Sequence, residues 1–195
     1  MPYAPDFDAL YRADPDPFAV GSRWYERRKI AVVLASLSRP EYSVGWDAAA
    51  GTGHLARGLA ARCRRVLATD ASAVAVESLA ARDVPENVTV RQSALPELPA
   101  EARAADLVVV SEVLYYLPDR ERAATLEMLA GLEAEIVAVH WRHHPGDTYL
   151  SGAETTRELH AVLTQAGFSR AVAHEDTDFV LSVHRPAAAG TPEAT

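Results

Sequence analysis

The stretch Asp47-Ala-Ala-Ala-Gly51-Thr-Gly53-His54-Leu55 decides how the rest of the chain is read. It follows a β-rich run at 43–48 and opens a helical pattern at 54–62. A turn this tight needs residues without bulk, because the helix must sit near the sheet and the backbone must come close to a ligand. A second β-rich run, 65–69, is followed by Asp70, 17 residues beyond Gly53. In doubly wound sheets ligands sit beyond the carboxyl ends of the strands, where the strand order reverses. An acid placed there can accept hydrogen bonds from both hydroxyls of a ribose. Strand, turn, helix, strand and acid in this order point to a nucleoside-type ligand. The plain alternative is a glycine-containing turn with a surface Asp that caps the next helix. A dinucleotide calls for G-x-G-x-x-G spacing and a helix N-terminus free for the pyrophosphate. Here the small residues run Ala49, Gly51, Gly53 and Ala56, and spacing alone does not choose.

Outward from this turn the same rhythm continues. Further β-rich runs at 88–91, 106–111 and 136–141 alternate with helical patterns at 73–82, 120–132 and 154–165. Such alternation predicts an α/β fold, a doubly wound and mostly parallel sheet with helices on both faces. The runs 169–174 and 179–184 are joined only by 175–178, which predicts a hairpin and therefore an antiparallel edge. Upstream, Ile30, Val33, Leu34 and Leu37 recur at helical spacing in a helix over 24–37 that stops before Pro40. Before it, Pro2, Pro5, Pro15 and Pro17 alternate with Tyr3, Phe7, Tyr11 and Phe18. Proline blocks a helix interior and the aromatics argue against pure disorder, so residues 1–22 read as an irregular arm packed back on the body. The body spans 23–185, and 186–195 reads as a loose tail.

Composition narrows the function. The chain has 195 residues, 49% hydrophobic, with formal net charge −8. That length suits one domain with a core large enough to need no staples. The acidic balance excludes sequence-independent nucleic-acid binding, which relies on a basic face. Cys63 is the single cysteine, so there is no internal disulfide and no cysteine-based zinc site. The pair His143-His144 with Asp147 lies in a loop and does not read as a metal site. No apolar run is long enough to span a bilayer. The opening MPYAPDFDAL has neither a basic start nor an apolar core, so a cytoplasmic protein without a signal peptide is expected.

Two further motifs are more specific: Ser-Glu-Val-Leu-Tyr-Tyr-Leu at 111–117 and Val-His-Trp-Arg at 139–142. Together with the glycine turn, Asp70, Asp14-Pro-Asp-Pro-Phe18, Tyr25-Glu26 and Lys29, they make residues 11–185 resemble class I S-adenosylmethionine-dependent methyltransferases. Within that class the chain is similar to the nodulation protein S group of small N-methyltransferases. The resemblance implies a seven-stranded Rossmann-like sheet with a reversed last strand. It implies that Asp47, Ala49, Gly51 and Gly53 form the turn under the methionine part of S-adenosylmethionine, that Asp70 holds the ribose, and that Ser93 and Ala94 lie near the adenine. It puts Glu112 at the reacting centre with Tyr115 and Tyr116 beyond it, only one of the two facing inward. It puts His140 and Arg142 along the acceptor pocket, and the arm, with Phe18, Trp24 and Tyr25, over the cofactor as a lid.

The expected chemistry is methyl transfer to an amine of a small molecule, such as an amino sugar or a natural-product intermediate. An amine must be neutral when it attacks, so Glu112, Tyr115, His140 and Arg142 are the expected catalytic set, with the imidazole as proton acceptor. Where the family usually offers an acid near the adenine, this chain has Ser93 and Ala94. Where an Asp and a His usually follow the fifth strand, it has Ala153 and Thr156. These departures motivate a second reading, an enzyme of the same fold that does not use S-adenosylmethionine and catalyses another displacement or cyclisation on an amine-bearing intermediate. A third reading is a non-catalytic partner subunit. Homodimer and partner subunit are the assemblies the sequence leaves open.

Overall fold

A computed structural model describes residues 5–144 and 146–187; most of the expected tail, 188–195, lies outside the described residues. In chain order the elements are α1 (Phe7–Ala13), α2 (Trp24–Ser36), β1 (Tyr42–Asp47), α3 (His54–Ala60), β2 (Cys63–Asp70), α4 (Ala73–Ala80), β3 (Val88–Gln92), β4 (Leu107–Ser111), α5 (Asp119–Ala130), β5 (Glu135–Trp141), α6 (Gly152–Gln165), β6 (Ser169–Glu175) and β7 (Phe179–Arg185). The seven strands form one sheet in the order β3-β2-β1-β4-β5-β7-β6. β1 to β5 run parallel, and β7 is antiparallel to both its neighbours.

Side-chain parity explains why the sheet is covered on both faces. In β4, Leu107 and Val109 enter the cluster that α2, α3 and α4 cover, whereas Val108 and Val110 enter the cluster under α5 and α6. A strand apolar at every position needs cover on both sides. The β6–β7 hairpin forms one edge of the sheet and the last strand is the reversed one, as expected; within the hairpin it is β6, not β7, that takes the rim. β7 reads Phe-Val-Leu-Ser-Val and is nearly all buried, while β6 alternates polar residues and is largely exposed. The more polar strand therefore takes the edge.

The arm also differs from expectation. Asp6 caps a two-turn helix, its carboxylate accepting from Ala9 N at 2.9 Å, and α1 fits between Pro5 and Pro15. Proline excludes helix only at interior positions, and this interval is free of it. Asp16 holds the following turn through Val20 N and Gly21 N. The arm docks through Asp8, which accepts from Ser72 Oγ at 2.6 Å at the start of α4.

β1 and β4 are adjacent, and the strand order reverses between them. The crevice at their carboxyl ends is where a ligand is expected.

Candidate active site

That crevice is a cavity of about 610 Å³. Its floor is the turn after β1 and the ends of β2 and β4. Phe7, Tyr11 and Phe18 of the arm roof it, and α2 walls it with Tyr25, Glu26, Lys29 and Ile30. Phe18 and Tyr25 line it as expected, but Trp24 is 69% exposed and faces away.

At one end Asp47, Ala49, Gly51, Asp70, Ser93 and Ala94 all line the cavity. Gly51 has φ +51°, and a Cβ there would fall 2.8 Å from the Tyr11 hydroxyl, so a side chain at this position would be strained and would press on the arm. The Asp70 carboxylate accepts from Gly51 N at 2.8 Å and Ser72 N at 2.9 Å, which fixes it at the rim. The Ser93 hydroxyl donates to Glu97 at 3.2 Å. Asp47 is fully buried, yet neither carboxylate oxygen makes a hydrogen bond of good geometry among the described residues; the Ala56 amide on α3 is near enough only to draw its pKa down a little. Burial, reinforced by Asp70, pushes its pKa up to about 7. Gly53 is the exception within the turn. It does not line the cavity; at φ +76° a Cβ would meet Leu79 at 2.3 Å, so its smallness lets α3 approach α4.

At the other end, Glu112 follows β4 with φ +55°, a left-handed conformation that costs energy in a non-glycine residue. The bend turns its carboxylate into a cage of donors. Lys29 Nζ lies 2.5 Å from Oε1; Trp141 N donates to Oε2 at 2.7 Å, and the Tyr115 hydroxyl donates to the same oxygen. Burial raises the pKa of Glu112, but Lys29 and Tyr115 outweigh it and hold it below the ordinary carboxylate value. Lys29 is buried and also reaches Glu26 Oε2 at 2.8 Å; the two carboxylates keep it charged against the effect of burial. Tyr115 and Tyr116 both line the cavity, correcting the expectation of a single inward ring. The short 3-10 turn Leu114–Tyr116 sets them edge to face, 4.8 Å apart.

Two expected site residues stand elsewhere. His140 is completely buried and does not line the cavity, both ring nitrogens lacking a partner among the described residues. The cause is strand parity: His140 shares a face with Ile136 and Ala138, and one step along β5 turns Trp141, not His140, towards the cavity. Burial lowers the His140 pKa to about 4, so at neutral pH the ring is uncharged. Arg142 points outward, pairing with Glu175 at 2.5 Å and donating to the Asp176 carbonyl at 3.2 Å. Conversely, Glu26 lines the cavity although sequence reading gave it no role. Its spacing of three from Lys29 was the available signal, since i and i+3 share a helix face.

Comparison with known proteins gives the family. Residues 46–133 match the methyltransferase-domain family. A protein of Pseudomonas syringae assigned as a methyltransferase has a solved structure with 33% identity and TM-score 0.66, covering 83% of this chain and 98% of its own. The chain belongs to the class I S-adenosylmethionine-dependent methyltransferases. The N-methyltransferase NodS of Bradyrhizobium japonicum, solved with S-adenosylhomocysteine, superposes at TM-score 0.75 with 21% identity, over 92% of this chain and 97% of that one. The DhpI–S-adenosylhomocysteine complex superposes at 0.64 with 22% identity, over 92% and 91%. No curated protein matches the sequence.

The methyltransferase cavity fits the family's cofactor, S-adenosylmethionine. The buried Asp47 carboxylate, without a hydrogen bond of good geometry among the described residues, suits a donor-rich cationic group, the Gly51 turn gives close backbone approach, and the Asp70 carboxylate adds a second acceptor at the rim. Among the described residues no group of three metal-ligating side chains converges, and no helix is long and apolar enough to cross a membrane.

Proposed function

We propose that this methyltransferase transfers the methyl group of S-adenosylmethionine to an amine of a small molecule, such as an amino sugar or a natural-product intermediate, in the cytoplasm. The observation that carries the reading is the composition of the cavity beyond the glycine turn. Glu26 and Glu112 set two carboxylates against the single ammonium of Lys29, and the rings of Tyr25, Tyr115, Tyr116 and Trp141 surround them. An acidic, aromatic-walled site favours a cationic amine through Coulomb attraction and through the ring faces. A cavity of about 610 Å³ under the arm suits a nucleoside cofactor with a small acceptor and not a folded macromolecule.

When bound, S-adenosylmethionine supplies both the electrophilic methyl and its leaving group. The chain supplies position. Asp47, Ala49, Gly51 and Asp70 hold the cofactor, with Ser93 and Ala94 beside the base. Glu112, fixed by Lys29, Tyr115 and Trp141 N, presents a rigid anionic edge to the acceptor, and the tyrosines exclude water. Orientation of this kind is worth about 7–11 kcal/mol of barrier, so no covalent intermediate is required.

The test is incubation of the purified protein with S-adenosylmethionine and a panel of small amines beside matched alcohols and thiols, read by mass spectrometry. Methylation confined to amines is the expected result. Methylation of alcohols or thiols in preference to amines overturns the amine reading.

A further inference from the structure

Glu26 and Glu112 line the cavity on either side of Lys29, and they differ in what they have left to offer. Glu112 is already tied on both oxygens, Lys29 donating to Oε1 and Trp141 N and the Tyr115 hydroxyl to Oε2, although a quarter of its side chain stays exposed. A carboxylate held by three donors and kept anionic by a lysine 2.5 Å away is a poor proton acceptor. Glu26 is different. It is 8% exposed, lines the same cavity, and receives Lys29 on Oε2 at 2.8 Å, while its Oε1 meets no donor among the described residues.

We infer that Glu26, and not Glu112 or His140, is the carboxylate that binds the ammonium form of the acceptor and takes its proton. The inference rests on the amine reading above and names the base for it. In the step, the acceptor nitrogen gives one proton to Oε1 of Glu26. Its freed lone pair forms the N–C bond as the C–S bond breaks, and the electrons of that bond pass to sulfur. The methylated nitrogen carries away the positive charge that the sulfonium had held, and Glu26 is left neutral. Burial raises the pKa of Glu26 against the pull of Lys29, which suits an acceptor of protons. The charged groups around it are Lys29 and Arg23 on its own side and Glu112 across the cavity. Lys29 lies between the carboxylates and holds Glu112 anionic, so a proton arriving from the acceptor is directed to Glu26.

The test uses sinefungin, a cofactor analogue with a primary amine where S-adenosylmethionine carries the S-methyl group, against S-adenosylhomocysteine, which lacks both. Calorimetry on the wild-type protein should show sinefungin preferred. Glu26→Gln should weaken sinefungin by at least about tenfold, as expected for a lost charge-assisted hydrogen bond, and leave S-adenosylhomocysteine within about twofold. In the wild type the preference should fall as pH drops through the upper carboxylate range, which needs no variant to fold. An unchanged preference in E26Q, a pH-independent preference in the wild type, or a selective loss in Glu112→Gln with none in E26Q overturns the inference. Methylation of alcohols instead of amines in the panel above sinks the amine reading separately, whatever E26Q does to sinefungin.

Discussion

Glu135 and Asp47 are both buried carboxylates of one sheet, and they sit at its opposite ends. Glu135, at the start of β5, accepts from Ser38 N at 3.1 Å, from the Tyr42 hydroxyl at 2.6 Å and from the Ser38 hydroxyl. Asp47, at the end of β1, has no hydrogen bond of good geometry among the described residues, and only the Ala56 amide comes near enough to draw its pKa down a little. A buried polar group without a partner costs roughly 1–3 kcal/mol, more when charged. The protein meets that demand in full at Glu135, at the amino end of β5, and leaves it open at Asp47, at the carboxyl end of β1. The first arrangement holds the fold together; the second is kept for a ligand.

Four substitutions break or sharpen this contrast. Asp70→Ala removes the acid at the rim and the anchor of Gly51 N and Ser72 N; S-adenosylhomocysteine affinity should drop by about 100-fold or more, measured by calorimetry. Glu135→Gln, at the opposite end, should lower stability by about 2 kcal/mol in denaturant titration, because one oxygen of its carboxylate becomes a donor amid existing donors. Its cofactor affinity should not move. Asp47→Asn should weaken S-adenosylhomocysteine by about tenfold yet stabilise the free protein. The sign follows from its raised pKa: a carboxyl titrating at about 7 when folded and near 3.8 when unfolded supports folding below pH 4, and that support is lost as pH rises to 7. The stability advantage of D47N should therefore be near zero at pH 4 and widen up to pH 7. A constant advantage across that window would contradict the open-carboxylate picture. The smallest effect is expected from Asp8→Ala, which cuts the arm's hold on Ser72. Faster dissociation of S-adenosylhomocysteine, by a few-fold, is the expected stopped-flow result, with the melting temperature little changed.

Much of this was legible in the chain. The alternation from β1 onward makes the sheet legible, since the central runs at β4 and β5 are apolar enough to demand cover on both faces. The turn from Asp47 to Gly53 and the acid at Asp70 announce the cofactor end, because the glycines and the acid are close in sequence. The acceptor end was harder. Glu112 stands out within its motif, but its partner Lys29 lies 83 residues away on α2. There Glu26 and Lys29 share the buried stripe with Val33, an inversion of the rule that charges face water. The placement of His140 off the cavity is hard to read for a different reason. The motif Val-His-Trp-Arg identifies the strand end, but only the register of β5 says which of two adjacent residues faces the cavity, and a single step exchanges faces. In the arm, the prolines concealed a helix that fits between them.

The three tryptophans are divided among three environments. Trp24 stands in water at 69% exposure, Trp46 is sealed in the core with its indole N–H on Thr69, and Trp141 lines the cavity edge-on to Tyr25. In a Trp24→Phe variant the fluorescence divides into one constant emitter and one that senses occupancy, so filling of the cavity can be followed optically, in real time and without a label.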